Sequence, residues 1–131
     1  MDPKTKENLL TAMHGEAFAY VKYMLFAEHA RKGGNEELAK LFEETAQVER
    51  FEHFAEEAEL VGLVGSDVDN LRDAIGGEAY EITTMYKEFA EEATAVGDDK
   101  AADRFREVRD DEKGHRAAFE EALKKPAVGA K

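Results

Sequence analysis

Glutamate and histidine recur in this chain at spacings that could hold metal. Gly15-Glu16-Ala17-Phe18 returns about sixty residues later as Gly77-Glu78-Ala79-Tyr80. Glu49 follows Glu16 by 33 residues, and Glu112 follows Glu78 by 34. His115 completes a Glu-x-x-His with Glu112, and His53 sits close to the equivalent place after Glu49. Glu81 lies one helical turn beyond Glu78, on a face shared with Ile75, Ile82 and Met85. Glu16 falls among Met13, Ala17, Tyr20 and Tyr23, where an ionised side chain is costly unless paired or ligated. Carboxylates bridge hard cations, and imidazole adds a neutral nitrogen donor. One Glu-x-x-His in so glutamate-rich a chain means little; inward acids repeated at matching heights mean more. The pattern predicts a carboxylate-rich two-metal centre inside a four-helix bundle.

The elements that must position these groups are all helical, because apolar spacing follows the helical period and no stretch sustains strand-like alternation. Helix A is expected over about 3–32, behind an Asp2 N-cap with Pro3 at the first helical position, and stops at Gly33-Gly34. Helix B follows Asn35 over about 36–64 and is broken by Gly65-Ser66. Helix C runs over about 67–96, capped by Ser66 or Asp67, and helix D over about 99–124, ending before Pro126; the tail PAVGAK is expected to fray. Gly34 precedes Glu49 by fifteen residues and Gly97 precedes Glu112 by fifteen, so A–B and C–D read as copies of one helical hairpin. The Glu-to-Gly spacing is eighteen in helix A and nineteen in helix C. The extra residue predicts a π-bulge in helix C, a feature frequent at functional sites.

The whole chain, 131 residues, is the length of one domain. It contains no cysteine, which excludes thiolate zinc sites, iron–sulfur clusters and thiol catalysis within these residues. Thirty acids against eighteen bases give a net charge of −12. Binding to nucleic acid or an anionic membrane would therefore be repulsive. No apolar run approaches a membrane span, and the start, MDPKTKENLL, lacks the regions of a signal peptide. The expectation is a soluble cytoplasmic protein.

The segments GEAFAYVKY (15–23), ETAQVERFEH (44–53), GEAYEITTMYKEFA (77–90) and DEKGHRAAF (111–119) resemble the rubrerythrin di-iron domain, over roughly residues 6–123. The resemblance implies a ferritin-like bundle, in which two helices each give one Glu and the other two give Glu-x-x-His. It implies iron ligands at Glu16, Glu49, Glu78, Glu81, Glu112 and His115, and carboxylate hydrogen bonds from Tyr23 and Tyr86. Asp111 is a candidate to orient an imidazole, although an exposed Asp fits equally well. Helix B departs from the pattern, because Glu52 stands three residues after Glu49 and His53 four. Either Glu52 replaces the histidine or an inserted residue bulges helix B and delivers His53. An apolar pair at Leu60-Val61, seven and eight residues beyond His53, favours His53. His14 and His29 belong to no constellation.

The resemblance implies a di-iron oxidoreductase that reduces hydrogen peroxide, with manganese or a mixed pair as other fillings of an oxygen-rich site. With no cysteine here for a rubredoxin-type centre, electrons are expected from a separate rubredoxin or flavoprotein. The competing readings are a ferroxidase or iron-handling ferritin-like protein, and an interaction module that retains the site. A homodimer is expected, and helix lengths suggest its form. If B and C run parallel, the chain must return on the order of 38 Å between Glu49 and Glu78. A linker of two to four residues reaches only about 7–14 Å. Two chains can close each other's sites by exchanging hairpins.

Overall fold

The Asp2 carboxylate starts the first helix, accepting from the Lys4 and Thr5 backbone N–H groups at 2.9 and 3.4 Å. Pro3 sits where no intrahelical N–H is needed. The structure, a computed structural model, describes residues 1–125; the expected fraying of the tail at 126–131 lies outside the described residues. Among the described residues every regular element is helical. In chain order these are α1 (Pro3–Lys32), α2 (Glu36–Val48), a π-helical turn (Glu49–Phe54), α3 (Ala55–Val61), α4 (Asp67–Tyr80), a second π-turn (Glu81–Met85), α5 (Tyr86–Ala95) and α6 (Asp99–Leu123). The residues flanking each π-turn keep right-handed helical backbone, so α2–α3 and α4–α5 are two continuous rods.

Three ends carry glycine in the left-handed region, where other residues are strained: Gly34, Gly62 and Gly97, with φ of 83°, 66° and 85°. Gly62 ends α3 at Val61, while Leu63 N–H returns to the Ala58 carbonyl at 3.0 Å. Helix B thus stops before the Gly65-Ser66 break read from the sequence, because an earlier glycine already takes the left-handed turn. Ser66, rather than Asp67, caps α4 through the Asp69 N–H at 3.1 Å.

The chain divides into two compact units, Met1–Val64 and Gly65–Lys131, each built on an antiparallel helical hairpin. The first packs α1 against α2 and α3; the second packs α6 against α4 and α5. Small side chains line both seams. Ala27, Ala30 and Ala39 are buried in the first, and Ala90, Ala93 and Ala102 in the second, each 63 residues further on. The aromatic caps repeat at the same interval: Tyr23, Phe26 and Phe42 form one triad, and Tyr86, Phe89 and Phe105 the other. Methyl-sized side chains let helix axes approach closely, and the triads close the hairpin beside its turn.

Helix phase explains the π-turns. Glu16 to Ala27 is eleven residues, three helical turns, whereas Glu78 to Ala90 is twelve. The turn Glu81–Met85 absorbs the extra residue in the third rod, as the spacing predicts. Ala46 to Ala58 is likewise twelve, and the turn Glu49–Phe54 restores the phase there. Among the described residues no large side chain is fully buried, and Phe18, Val21, Leu25, Leu41 and Phe51 remain exposed. A two-helix hairpin has one seam and cannot enclose a core.

Candidate metal centre

Each hairpin gathers one histidine and two glutamates. In the first, Glu16 comes from α1 and Glu49 and His53 from the π-turn; in the second, Glu78 comes from α4 and Glu112 and His115 from α6. Within each group the donor atoms lie within 4.8 Å of one another. His53 Nδ1 is 3.3 Å from Glu16 Oε2 and 3.4 Å from Glu49 Oε2. His115 Nδ1 is 3.4 Å from Glu112 Oε2 and 3.7 Å from Glu78 Oε1. Six of the seven expected ligands are therefore brought together in threes.

Glu81 lies outside these groups, at the start of the second π-turn. Glu52 is exposed and stands apart from the first group, whereas His53 faces it: the wider π-turn brings residue i+4 to the place that residue i+3 holds on α6. Tyr23 and Tyr86 pack in the aromatic triads, and among the described residues neither hydroxyl is hydrogen-bonded to a carboxylate. Asp111, His14 and His29 are exposed.

The acids are sheltered but not buried. Side-chain exposure is 22% for Glu16, 17% for Glu49, 16% for Glu78 and 15% for Glu112, against 51% and 57% for His53 and His115. Burial of the acids, read from their apolar neighbours, is thus incomplete, because one hairpin covers them from one side only. Electrostatics nevertheless marks the group. Hydrogen bonding to Glu16 holds the Glu49 carboxyl above the usual carboxylate range, with desolvation adding to it and His53 opposing it. The same two carboxylates hold the His53 imidazole above its ordinary value. In the second hairpin, Glu78 Oε2 is buried without a hydrogen-bond partner. A sheltered carboxylate oxygen left unpaired costs on the order of 1–3 kcal/mol. A cation shared by these oxygens and the imidazole would remove that cost, so the donor set fits a hard or borderline divalent metal.

One residue near the second group was not singled out in the sequence. Arg109, on α6 one turn before Glu112, donates from Nε to the Ile82 carbonyl at 2.6 Å, bridging α6 to the π-turn. Its counterpart 63 residues earlier is Ala46, which is fully buried. A large polar side chain at a seam position that is alanine in the other copy was the signal.

The rubrerythrin family model matches residues 7–123. The chain belongs to the rubrerythrin family. It is 38% identical over 128 residues to a rubrerythrin of Porphyromonas gingivalis, covering 88% of this chain and 64% of that protein. A putative rubrerythrin of Methanocaldococcus jannaschii is 31% identical over 148 residues, 96% of this chain and 72% of the relative. Nigerythrin of Nitratidesulfovibrio vulgaris is 36% identical over 111 residues, 74% of this chain and 54% of the relative. The chain thus spans between about half and three quarters of the length of these relatives. Rubrerythrin membership agrees with the all-α, ferritin-like class read from the sequence. No helix among the described residues is long and apolar enough to cross a membrane.

Proposed function

We propose that this chain is a non-haem di-iron oxidoreductase that reduces hydrogen peroxide and draws electrons from a separate protein donor, a rubredoxin or flavoprotein. The observation that carries the reading is the pair of Glu–Glu–His groups at matched positions of two hairpins. Glu16, Glu49, Glu78, Glu81, Glu112, His53 and His115 would hold two iron ions, with manganese as the other filling that an oxygen-rich set accepts. Bound iron would supply the two electrons that convert peroxide and two protons to two waters. The chain's own residues supply the rest. Glu16 raises the proton affinity of the Glu49 carboxyl, and both acids raise that of His53, so carboxyl and imidazole are placed to carry protons at the site. Tyr23 and Tyr86, anchored by their triads, would orient carboxylates across the assembled bundle. A cytoplasmic location belongs to the same proposal.

The site is completed, in this reading, by a homodimer in which each chain lends one hairpin to each bundle. The lengths of the rods support it. From Glu49 to Val61 is roughly 18 Å of helix and from Asp67 to Glu78 roughly 16 Å. The residues 62–66 between them reach about 20 Å, well short of the sum.

The test mixes iron-loaded, reduced protein with peroxide and, separately, with dioxygen in a stopped-flow instrument under anaerobic handling. Much faster oxidation by peroxide, with turnover sustained by added rubredoxin and its reductase, is expected. Faster oxidation by dioxygen with ferric mineral accumulating would assign the chain to iron handling instead.

A further inference from the structure

Arg109 is an exception among the arginines of α6. Arg104, Arg106 and Arg116 each pair with a nearby carboxylate on the same helix. Arg109 lies in a chain with thirty acids, yet its hydrogen bond among the described residues goes to a backbone carbonyl on another helix. The acceptor is Ile82, inside the π-turn and one residue beyond Glu81.

A π-turn is less favourable than the α-helix around it, and its extra residue is not tied to one place by helix geometry alone. If the extra residue moved along the rod, side chains between its old and new positions would rotate by about 100° relative to Glu78 and the seam. Glu81 is the first residue of that turn. Arg109 donates from α6 to this part-buried carbonyl, and that bond can form only while the carbonyl stands where Arg109 reaches it. The first hairpin needs no such tether at this level: its first rod, α1, is unbroken α-helix, position 46 is alanine, and the residue three after Glu16 is Ala19. Arg109 and Glu81 therefore occur together in the second hairpin, and both are replaced by alanine in the first.

We propose that Arg109 is a positioning residue: by donating to the Ile82 carbonyl it fixes the π-turn Glu81–Met85 and so aims Glu81 at the metal, making the two metal positions inequivalent. The proposal rests on the metal-centre reading given above and adds a device that sets the seventh ligand.

The experiment compares the full chain with Arg109→Ala, Arg109→Lys, Glu81→Ala and the Arg109→Ala/Glu81→Ala pair, using Arg104→Ala as a control for loss of a surface arginine. Without metal, amide hydrogen exchange at residues 83–87 is expected to rise at least about tenfold in Arg109→Ala while Phe89–Ala95 keep their protection. In a Co(II) titration followed by visible absorption, one of two ions should bind about ten- to a hundred-fold more weakly. Glu81→Ala should weaken the same ion, the double variant should be no worse than either single one, and Arg109→Lys should restore most of both signals. Unchanged exchange in the turn, wild-type binding of both ions, or additive losses in the double variant would each overturn the proposal. If Arg109→Ala does not fold, Arg109→Met, which fills the space without a donor, is read by the same criteria. A wild-type chain that takes up no Co(II) would overturn the metal-centre reading and the ligand role of Glu81 with it, while the exchange pattern still decides the tether.

Discussion

At the scale of single residues, a metal bound at the candidate groups would compete with protons for the same atoms. In the metal-free chain Glu49 and His53 are both held above their ordinary values by the carboxylates around them. The folded state therefore binds more protons than the unfolded chain wherever these groups titrate. Their contribution is present in full below the unfolded values and is lost as pH rises through the raised ones. The melting temperature of the metal-free protein relative to Glu16→Gln should accordingly fall as pH rises from the ordinary carboxylate range through and past the ordinary imidazole range, since that substitution removes a main cause of both shifts. A difference that stays flat or climbs would contradict the arrangement. Divalent metal must displace those protons, so its apparent affinity should rise over the same range. The acids and imidazoles of this group were legible in the sequence because glutamate at an inward helical position is unusual and repetition removes coincidence. Arg109 shows in the sequence only as a polar residue where the other copy has alanine; its partner, a backbone carbonyl in the π-turn, leaves no mark there.

At the scale of elements, the two π-turns are one-residue insertions placed beside candidate ligands. The turn Glu49–Phe54 separates Ala46 from Ala58 by one residue more than three helical turns, and it lets His53 do from i+4 what His115 does from i+3. Deleting Glu52 should convert the segment to a continuous α-helix, leave the seam in phase and turn Glu49-x-x-x-His53 into Glu-x-x-His. Such a chain should remain helical, unfold cooperatively and bind two ions, as judged by circular dichroism and metal analysis. Deleting Lys40, inside regular α2, rotates everything beyond it by about 100° and should abolish cooperative unfolding. Equal damage from both deletions would refute this account of the turn. The sequence announced the bulge in the third rod through a single extra residue between Glu78 and Gly97. In the second rod it left a choice between Glu52 and His53, because an insertion and a substitution look alike until the backbone is traced. Helix ends were read less well: Gly62 and Gly65 are equally good stops on paper, and the αL turn with its return bond to Ala58 selects the first.

At the scale of the whole molecule, each hairpin has an alanine seam, a cluster of half-sheltered acids and exposed aromatic and aliphatic side chains. Surfaces of that kind ask for a second layer of helices. If the layers are exchanged between two chains, a heterodimer of Glu49→Ala and Glu112→Ala chains collects both lesions in one bundle and none in the other. Co-refolding the two inactive variants should then restore about one intact site per heterodimer, measured as bound metal and as peroxide turnover. Heterodimers that form yet stay empty would mean that each chain closes its own centre. The all-α class and the doubled hairpin could be read from periodicity and from the repeat. What would complete each hairpin is not written in periodicity, which records what a face buries and not whose face it meets; only the rod lengths bear on the proposed exchange.

The alanine seams also bear on ancestry. Seam alanines and aromatic triads are separated by an unvarying 63 residues, whereas Glu16 is 62 residues from Glu78 and 65 from Glu81. If the two hairpins arose by duplication of one, the packing kept its register while the chain lengthened or shortened only inside the π-turns. Those turns are where such a scaffold can gain or lose a ligand without being refolded, and they are the places to look when one copy of an inherited site acquires chemistry that the other lacks.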